Sequence, residues 1–200
     1  MNSKIMLTAA LMSLCIFASC RDISGKLFII EGNYHSSKGE WTKAISSYQK
    51  ACAYEEAAPY AEAGLGSAYF NLNDVKAALK HFEDSQQMLD VLPPVEHREL
   101  RYLNSYNSGV AMFAQGNFSA AAGAFRQALR VDSGRIEAKR NLELSLLSAV
   151  RQKTSNAGLK LSPEEIDQME AVFKYIGLKE RRQWERQEWE ADDSYNGPDY

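Results

Sequence analysis

The chain has little cysteine, little proline, little net charge and no hydrophobic run long enough to cross a bilayer. Its three cysteines, Cys15, Cys20 and Cys52, stand at neither zinc nor thioredoxin spacing and give no sign of a disulfide framework. The three histidines, His35, His81 and His97, are isolated, and none is paired in sequence with another ligand type at metal spacing. No metal and no cofactor is therefore expected. A formal net charge of −3 leaves no basic face of the kind nucleic acid requires. There is no phosphate-cradling glycine loop and no nucleophile elbow. The carboxylate pairs Glu55-Glu56 and Glu164-Glu165 fit helix ends better than acid–base work. Catalysis is not expected, and Cys52, beside Ala51, reads as a small buried hydrophobe.

What the chain does have is a period. Gly32, Ala44, Tyr48 and Ala51 return 34 residues later as Gly66, Ala78, Phe82 and Ser85. They return again, after a further 43, as Gly109, Ala121, Phe125 and Ala128. A fixed period of this length means stacked helix pairs. The small residues let antiparallel helices approach, and the aromatics fill the space between them. Lys38-Gly39-Glu40, Leu72-Asn73-Asp74 and Gln115-Gly116-Asn117 are turns in which Gly or Asn can take positive φ. Trp41, Val75 and Phe118 then open each second helix.

These residues resemble the tetratricopeptide repeat. The clearest copy is Pro59 to Leu92, with Leu65-Gly66, Tyr69, Ala78, Phe82 and Ser85 on the family's small-and-large pattern and Glu62 where its leading tryptophan would stand. The resemblance implies an all-α, right-handed superhelical solenoid with repeats over 25–58, 59–92 and 102–135. A capping helix over 136–152 follows, with Leu142 and Leu146 on its apolar face. Between the second and third repeats lies an insertion, 93–101. Its Pro93-Pro94 ends the preceding helix, and Val95 to Arg101 is expected to lengthen the next one. A local change in stacking is expected there, not a domain boundary.

The amino-terminal end reads as an address. After Lys4 an apolar run of about 14 residues extends from Ile5 to Ala18, short of the roughly 20 needed to span a bilayer. It suits a secretory signal over residues 1–19. Phe17-Ala18-Ser19-Cys20 resembles the bacterial lipobox, although Phe17 replaces the usual leucine. The resemblance implies lipidation at Cys20, a lipid-anchored linker over 20–24, and a place in the cell envelope on the periplasmic side, with the leaflet open. An ordinary cleaved signal is the alternative.

At the other end, 153–161 reads as a linker. Ser162-Pro163-Glu164-Glu165 then starts a helix over 162–190 with an N-cap and a capping box. Its stripe Ile166, Met169, Val172, Phe173 and Ile176 either packs back onto the repeats or leaves Trp184 and Trp189, set among arginines, to dock a partner or lipid headgroups. Residues 191–200 are an acidic tail expected to be disordered.

In the family, the first helix of each pair lines a concave groove that receives a peptide or a helix. Carried onto this chain, that groove comprises Asn33, Tyr60, Ser67, Phe70, Asn71, Tyr106, Asn107, Val110, Phe113 and Arg140. Positions that in some members clamp a peptide carboxylate hold Ile29 and Ala63, so the clamp is absent and the surface is aromatic and amide-rich. These side chains either bind a protein partner or only pack. Ala138-Lys139-Arg140-Asn141-Leu142-Glu143-Leu144, with the charged tryptophan helix, also resembles the repeat proteins of the Bat (aerotolerance) group, which implies a von Willebrand-type membrane protein as partner. The expectation is a membrane-anchored protein–protein interaction scaffold. The alternatives are an assembly lipoprotein for outer-membrane proteins or pili, or a ligand- or peptide-binding subunit of a transporter.

Overall fold

The structure, a computed structural model, describes residues 23–93 and 95–157, together with 162 and 164. Every regular element among them is helical: α1 (residues 23–37), α2 (Trp41–Ala51), α3 (Ala58–Asn71), α4 (Val75–Asp90), α5 (Arg98–Ala114), α6 (Phe118–Val131) and α7 (Ile136–Asn156). None of them is long and apolar enough to cross a membrane. Cys20, Trp184 and Trp189, the signal over 1–19, the body of the helix over 162–190 and the tail 191–200 lie outside the described residues. The chain divides into two compact units between Glu96 and His97. That boundary falls inside the insertion, where the sequence predicted only a change in stacking.

In the first unit the expected turns form with the expected backbone. Gly39 has φ +71° and Asn73 φ +63°, so each reverses the chain in the left-handed region that Gly and Asn tolerate best. Trp41 and Val75 start the second helices, and the Asp74 side chain accepts a 3.0 Å bond from the Ala77 amide as an N-cap. Helix α1 is already formed at residues 23 and 24, in the expected linker, because Gly25 is seated on the α2–α3 connection. A Cβ on it would lie 2.8 Å from Tyr54 and 2.9 Å from Ala57.

Paired glycines and aromatics set the helix spacing. The buried Tyr48 ring lies between Gly32 of α1 and Gly64 of α3; a Cβ at Gly64 would fall 2.6 Å from it. Its hydroxyl donates to Asn33 Oδ1 at 2.8 Å, which keeps this core phenol satisfied. Phe82 repeats the device against Gly66, at 2.6 Å from the missing Cβ. Ser85 Oγ, fully buried, donates to the Pro59 carbonyl at 2.6 Å and ties α4 to the start of α3.

Helix α4 ends at Asp90, and the second unit begins at His97. His97 takes a left-handed conformation, φ +56°, and α5 starts at Arg98, so residues 95–97 form a turn and not the helical extension expected from Val95. Gly116, φ +75°, makes the α5–α6 turn, and Phe125 is buried against Gly109, 2.7 Å from where a Cβ would stand. Tyr102, Ala121, Ala122, Phe125, Ala128, Leu129, Ala138 and Leu142 form one apolar core among α5, α6 and α7. Helix α7 thus caps α6 with the face the sequence assigned to it.

Arg135, just before α7, closes this unit. Its guanidinium pairs with Asp132 at 2.7 Å and with Glu99, and lies 4.5 Å from the centre of the Tyr102 ring. The bond from Arg135 holds the Asp132 carboxyl below its usual range. Burial, aided by the nearby Glu137 carboxylate that accepts its hydroxyl at 3.0 Å, pushes the Tyr102 phenol up. Helix α7 continues to Asn156, through residues 153–156 of the expected linker. Thr154 Oγ1 bonds back to the Val150 carbonyl at 3.1 Å, and the Gln152 amide donates to the Gly116 carbonyl at 3.1 Å. The Thr154 bond occupies a polar side chain that reads in sequence as linker.

Candidate protein-binding faces and a histidine–carboxylate cluster

Helical spacing places Tyr60, Ser67, Phe70 and Asn71 along one side of α3. Tyr60 and Asn71 are exposed and Phe70 is half-buried. Two of the expected contact groups are engaged locally: Ser67 Oγ donates to the Ala63 carbonyl at 3.1 Å, and the Asn71 amide donates to the Ser67 carbonyl at 2.8 Å. Asn33, on α1, is exposed but spends its carbonyl oxygen on Tyr48. Ile29 packs on the core of this unit, so no cation stands at that place.

In the second unit, Tyr106, Val110 and Phe113 follow one another at helical spacing on α5, and all three are packed against the unit's core. Tyr106 stacks on Tyr102 with centroids 5.7 Å apart and meets Phe125 edge-on at 5.6 Å. Its hydroxyl accepts from the Asn141 amide at 3.0 Å, and Phe113 meets Phe118 edge-on at 4.9 Å. These aromatics hold α5 to α6 and α7, whatever their outer edges touch. Asn107 is half-buried and Arg140, on α7, is exposed.

The sequence missed a stripe on α1. Ile23, Leu27, Ile30 and Tyr34 are large, exposed and spaced by four, three and four residues, which puts them on one side of the helix. That spacing was available as a signal. Lys26 and Lys38 stand exposed on the same helix or its end.

The histidines are less isolated in space than in sequence. His35 Nδ1 lies 2.6 Å from Glu40 Oε2, and this contact, with Lys43 at 3.2 Å, keeps the Glu40 carboxyl below its ordinary range. His81 of α4 stacks on Tyr69 of α3 (centroids 5.1 Å apart, planes 7° apart) and sets its Nδ1 2.7 Å from Glu62 Oε2. Asp84, one turn further along α4, completes a group of three whose ligand-type atoms all lie within 4.8 Å of one another. The other oxygen of Glu62 accepts from the Cys52 thiol at 3.5 Å.

Burial first, and then the Glu62 carboxylate, push the Cys52 thiol up to about 12. Weighing the lost thiolate against its greater intrinsic nucleophilicity, Cys52 is expected to attack a disulfide reagent about a hundredfold more slowly than a free cysteine at neutral pH. Glu62→Gln, which removes the charge, should speed the reaction. A stopped-flow thiol assay checks both, and a rate equal to that of free cysteine would mean the thiol is not held in this way.

Residues 31–89, from within α1 to the end of α4, match the family model described as tetratricopeptide repeat. No curated protein matches the chain by sequence. Among solved structures, it resembles the first tetratricopeptide domain of Spaghetti (RPAP3) bound to an HSP90 peptide, SRMEEVD. The TM-score is 0.56 at 18% identity, over 64% of this chain and 94% of that one. It resembles the first such domain of human RPAP3 with TM-score 0.57 at 18% identity, over 66% and 97%. The Sgt2 domain of Aspergillus fumigatus matches with TM-score 0.55 at 20% identity, over 69% and 85%. The fold is the all-α tetratricopeptide-repeat fold.

Proposed function

We propose that the chain is a membrane-anchored interaction scaffold of a bacterial cell envelope, binding a protein partner through the first-helix faces of its repeats. The observation that carries this reading is the row Tyr60, Phe70 and Asn71 on α3: aromatic and amide groups left at the surface after repeat packing has taken Ala61, Leu65 and Ala68. The RPAP3 domain, of the same fold, is bound to a peptide. With Ile29 and Ala63 at the clamp positions, the fitting ligand is an internal extended segment carrying apolar groups, not a terminal carboxylate. A von Willebrand-type membrane protein of a Bat-like assembly is the partner the sequence resemblance favours.

The test is affinity capture of the full chain from gently solubilised membranes of its own cell. A variant carrying Tyr60→Ala, Asn71→Ala and Arg140→Ala is run beside a truncation after Leu161. Tyr106 and Phe113 are left intact because their loss would loosen the core. The face variant is expected to weaken partner recovery by roughly tenfold or more, as loss of an aromatic hot spot does. Partner loss confined to the truncation would move the contact to the tryptophan helix. A captured barrel-assembly or pilus component would instead favour the assembly-lipoprotein reading.

A further inference from the structure

The cluster on the second repeat has the composition of a cation site. Glu62 comes from α3, and His81 and Asp84 from successive turns of one side of α4. Their side chains are 15%, 23% and 30% exposed, sheltered but reachable from solvent. A neutral imidazole with two carboxylates carries two negative charges. Lys80 pairs with this group, its ammonium 2.7 Å from Asp84 and itself largely in water. An exposed ion pair of this kind contributes little, so Lys80 yields its place at small cost.

A hydrogen-bonded His–Glu pair alone would explain His81 and Glu62, as it explains His35 and Glu40. It does not explain why a second carboxylate faces the same imidazole. Nor do the repeat contacts require the set: the equivalent positions hold Phe28, Ser47 and Lys50 in the first repeat and Ser105, Ala124 and Gln127 in the third.

We propose that Glu62, His81 and Asp84 bind one divalent cation of the zinc class. Imidazole nitrogen with carboxylate oxygens selects zinc over magnesium or calcium, which take all-oxygen shells. Tetrahedral zinc with ligands at about 2.0–2.2 Å sets its donor atoms about 3.3 Å apart. The 2.7 Å His81–Glu62 contact opens slightly, and the 4.8 Å limit of the group closes by side-chain rotation within one helix pair. His81 ligates through Nδ1, the nitrogen already turned to Glu62, once the proton it shares with that carboxylate has moved to Nε2 or to solvent, while Tyr69 fixes its ring plane. Water takes the fourth position; Cys52 bonds the far oxygen of Glu62 and stays outside the shell. The ion bolts α3 to α4 and so couples metal supply to the rigidity of the helix that carries Tyr60 and Phe70.

The test is titration of Zn²⁺ into the purified, chelator-stripped full chain, by calorimetry and by thermal unfolding, with Co²⁺ as a visible-absorbing substitute. One equivalent is expected to bind with micromolar or tighter affinity, to raise the unfolding temperature, and to give Co²⁺ a tetrahedral spectrum. His81→Ala and the conservative Asp84→Asn should each weaken binding at least tenfold, with helix content checked by circular dichroism. His35→Ala and Cys52→Ser should bind like the unaltered chain. Absence of saturable one-to-one binding overturns the proposal. So does equal affinity in a folded Asp84→Asn variant, or loss of binding on Cys52→Ser.

Discussion

Phe125→Ala is expected to destabilise the helix triad α5–α6–α7 by about 3–5 kcal/mol, the upper range for a buried aromatic. The ring is fully buried. Its surroundings cannot close over the space it leaves: one wall is the bare backbone of Gly109, and Ala121, Ala122 and Ala128 are too short to follow. Tyr106, edge-on to it at 5.6 Å, loses its partner as well. The converse change acts through the same seat. Gly109→Ala puts a methyl 2.7 Å from the ring and forces it aside, at about 1–3 kcal/mol. Because the two sites touch, Gly109→Ala with Phe125→Leu should cost less than the sum of the single changes. Denaturant unfolding, read together with hydrogen exchange in α5–α7, measures all four corners of the cycle. A cost below about 1 kcal/mol for Phe125→Ala would show that the glycine-seated ring does not hold the unit together.

The same seats explain what could be read from sequence and what could not. Gly32, Gly66 and Gly109 with Tyr48, Phe82 and Phe125 were legible because contacts inside each repeat recur with the period. The positive-φ turns at Gly39, Asn73 and Gly116 were legible for the same reason. Gly64 also supports the Tyr48 ring, from the next repeat, but Ile30 and Asn107 occupy its equivalent places, so no period marks it. The helical course of 153–156 includes the bond from Thr154 back to the Val150 carbonyl, which a polar composition does not announce. The division at Glu96–His97 was disguised because two prolines and one left-handed histidine look, in sequence, like a local break.

The proposed binding residues separate along similar lines. Resemblance assigns a face to a helix but not the depth of each side chain. Tyr106, Val110 and Phe113 are as much packing as surface, whereas Tyr60 and Arg140 are exposed. The Glu62–His81 contact joins residues 19 apart on two helices, and neither has a counterpart in the other repeats. Periodic residues therefore build the fold, and the chain's particular chemistry lies where the period is broken. Glu62, in the place of the family's tryptophan, is the clearest break.

The largest change in cellular distribution is expected from removing Cys20. If that residue carries two or three acyl chains, each buried methylene contributes about 0.8 kcal/mol, and the processed chain should be recovered almost wholly with membranes. A chain that instead starts at Arg21, exported behind an ordinarily cleaved leader, should appear mainly in the soluble fraction. The α1 stripe predicts a residue of binding even then. Ile23 stands three positions after Cys20, and Leu27, Ile30 and Tyr34 carry the exposed apolar side onward beside Lys26. An anchored chain thus brings an amphipathic helix to the headgroups within its first turns, and the stripe orients what the lipid holds. In the unanchored chain, Leu27→Asp with Ile30→Asp should abolish residual binding to anionic vesicles; in the anchored chain the same pair should leave the membrane fraction unchanged. Detergent-phase partitioning and the mass of the amino-terminal peptide measure the two effects separately. A wild-type chain recovered soluble, with Cys20 unmodified or removed, would replace the anchor with an ordinary cleaved signal. Vesicle binding unaffected by the aspartates would leave the stripe to contact protein instead of lipid.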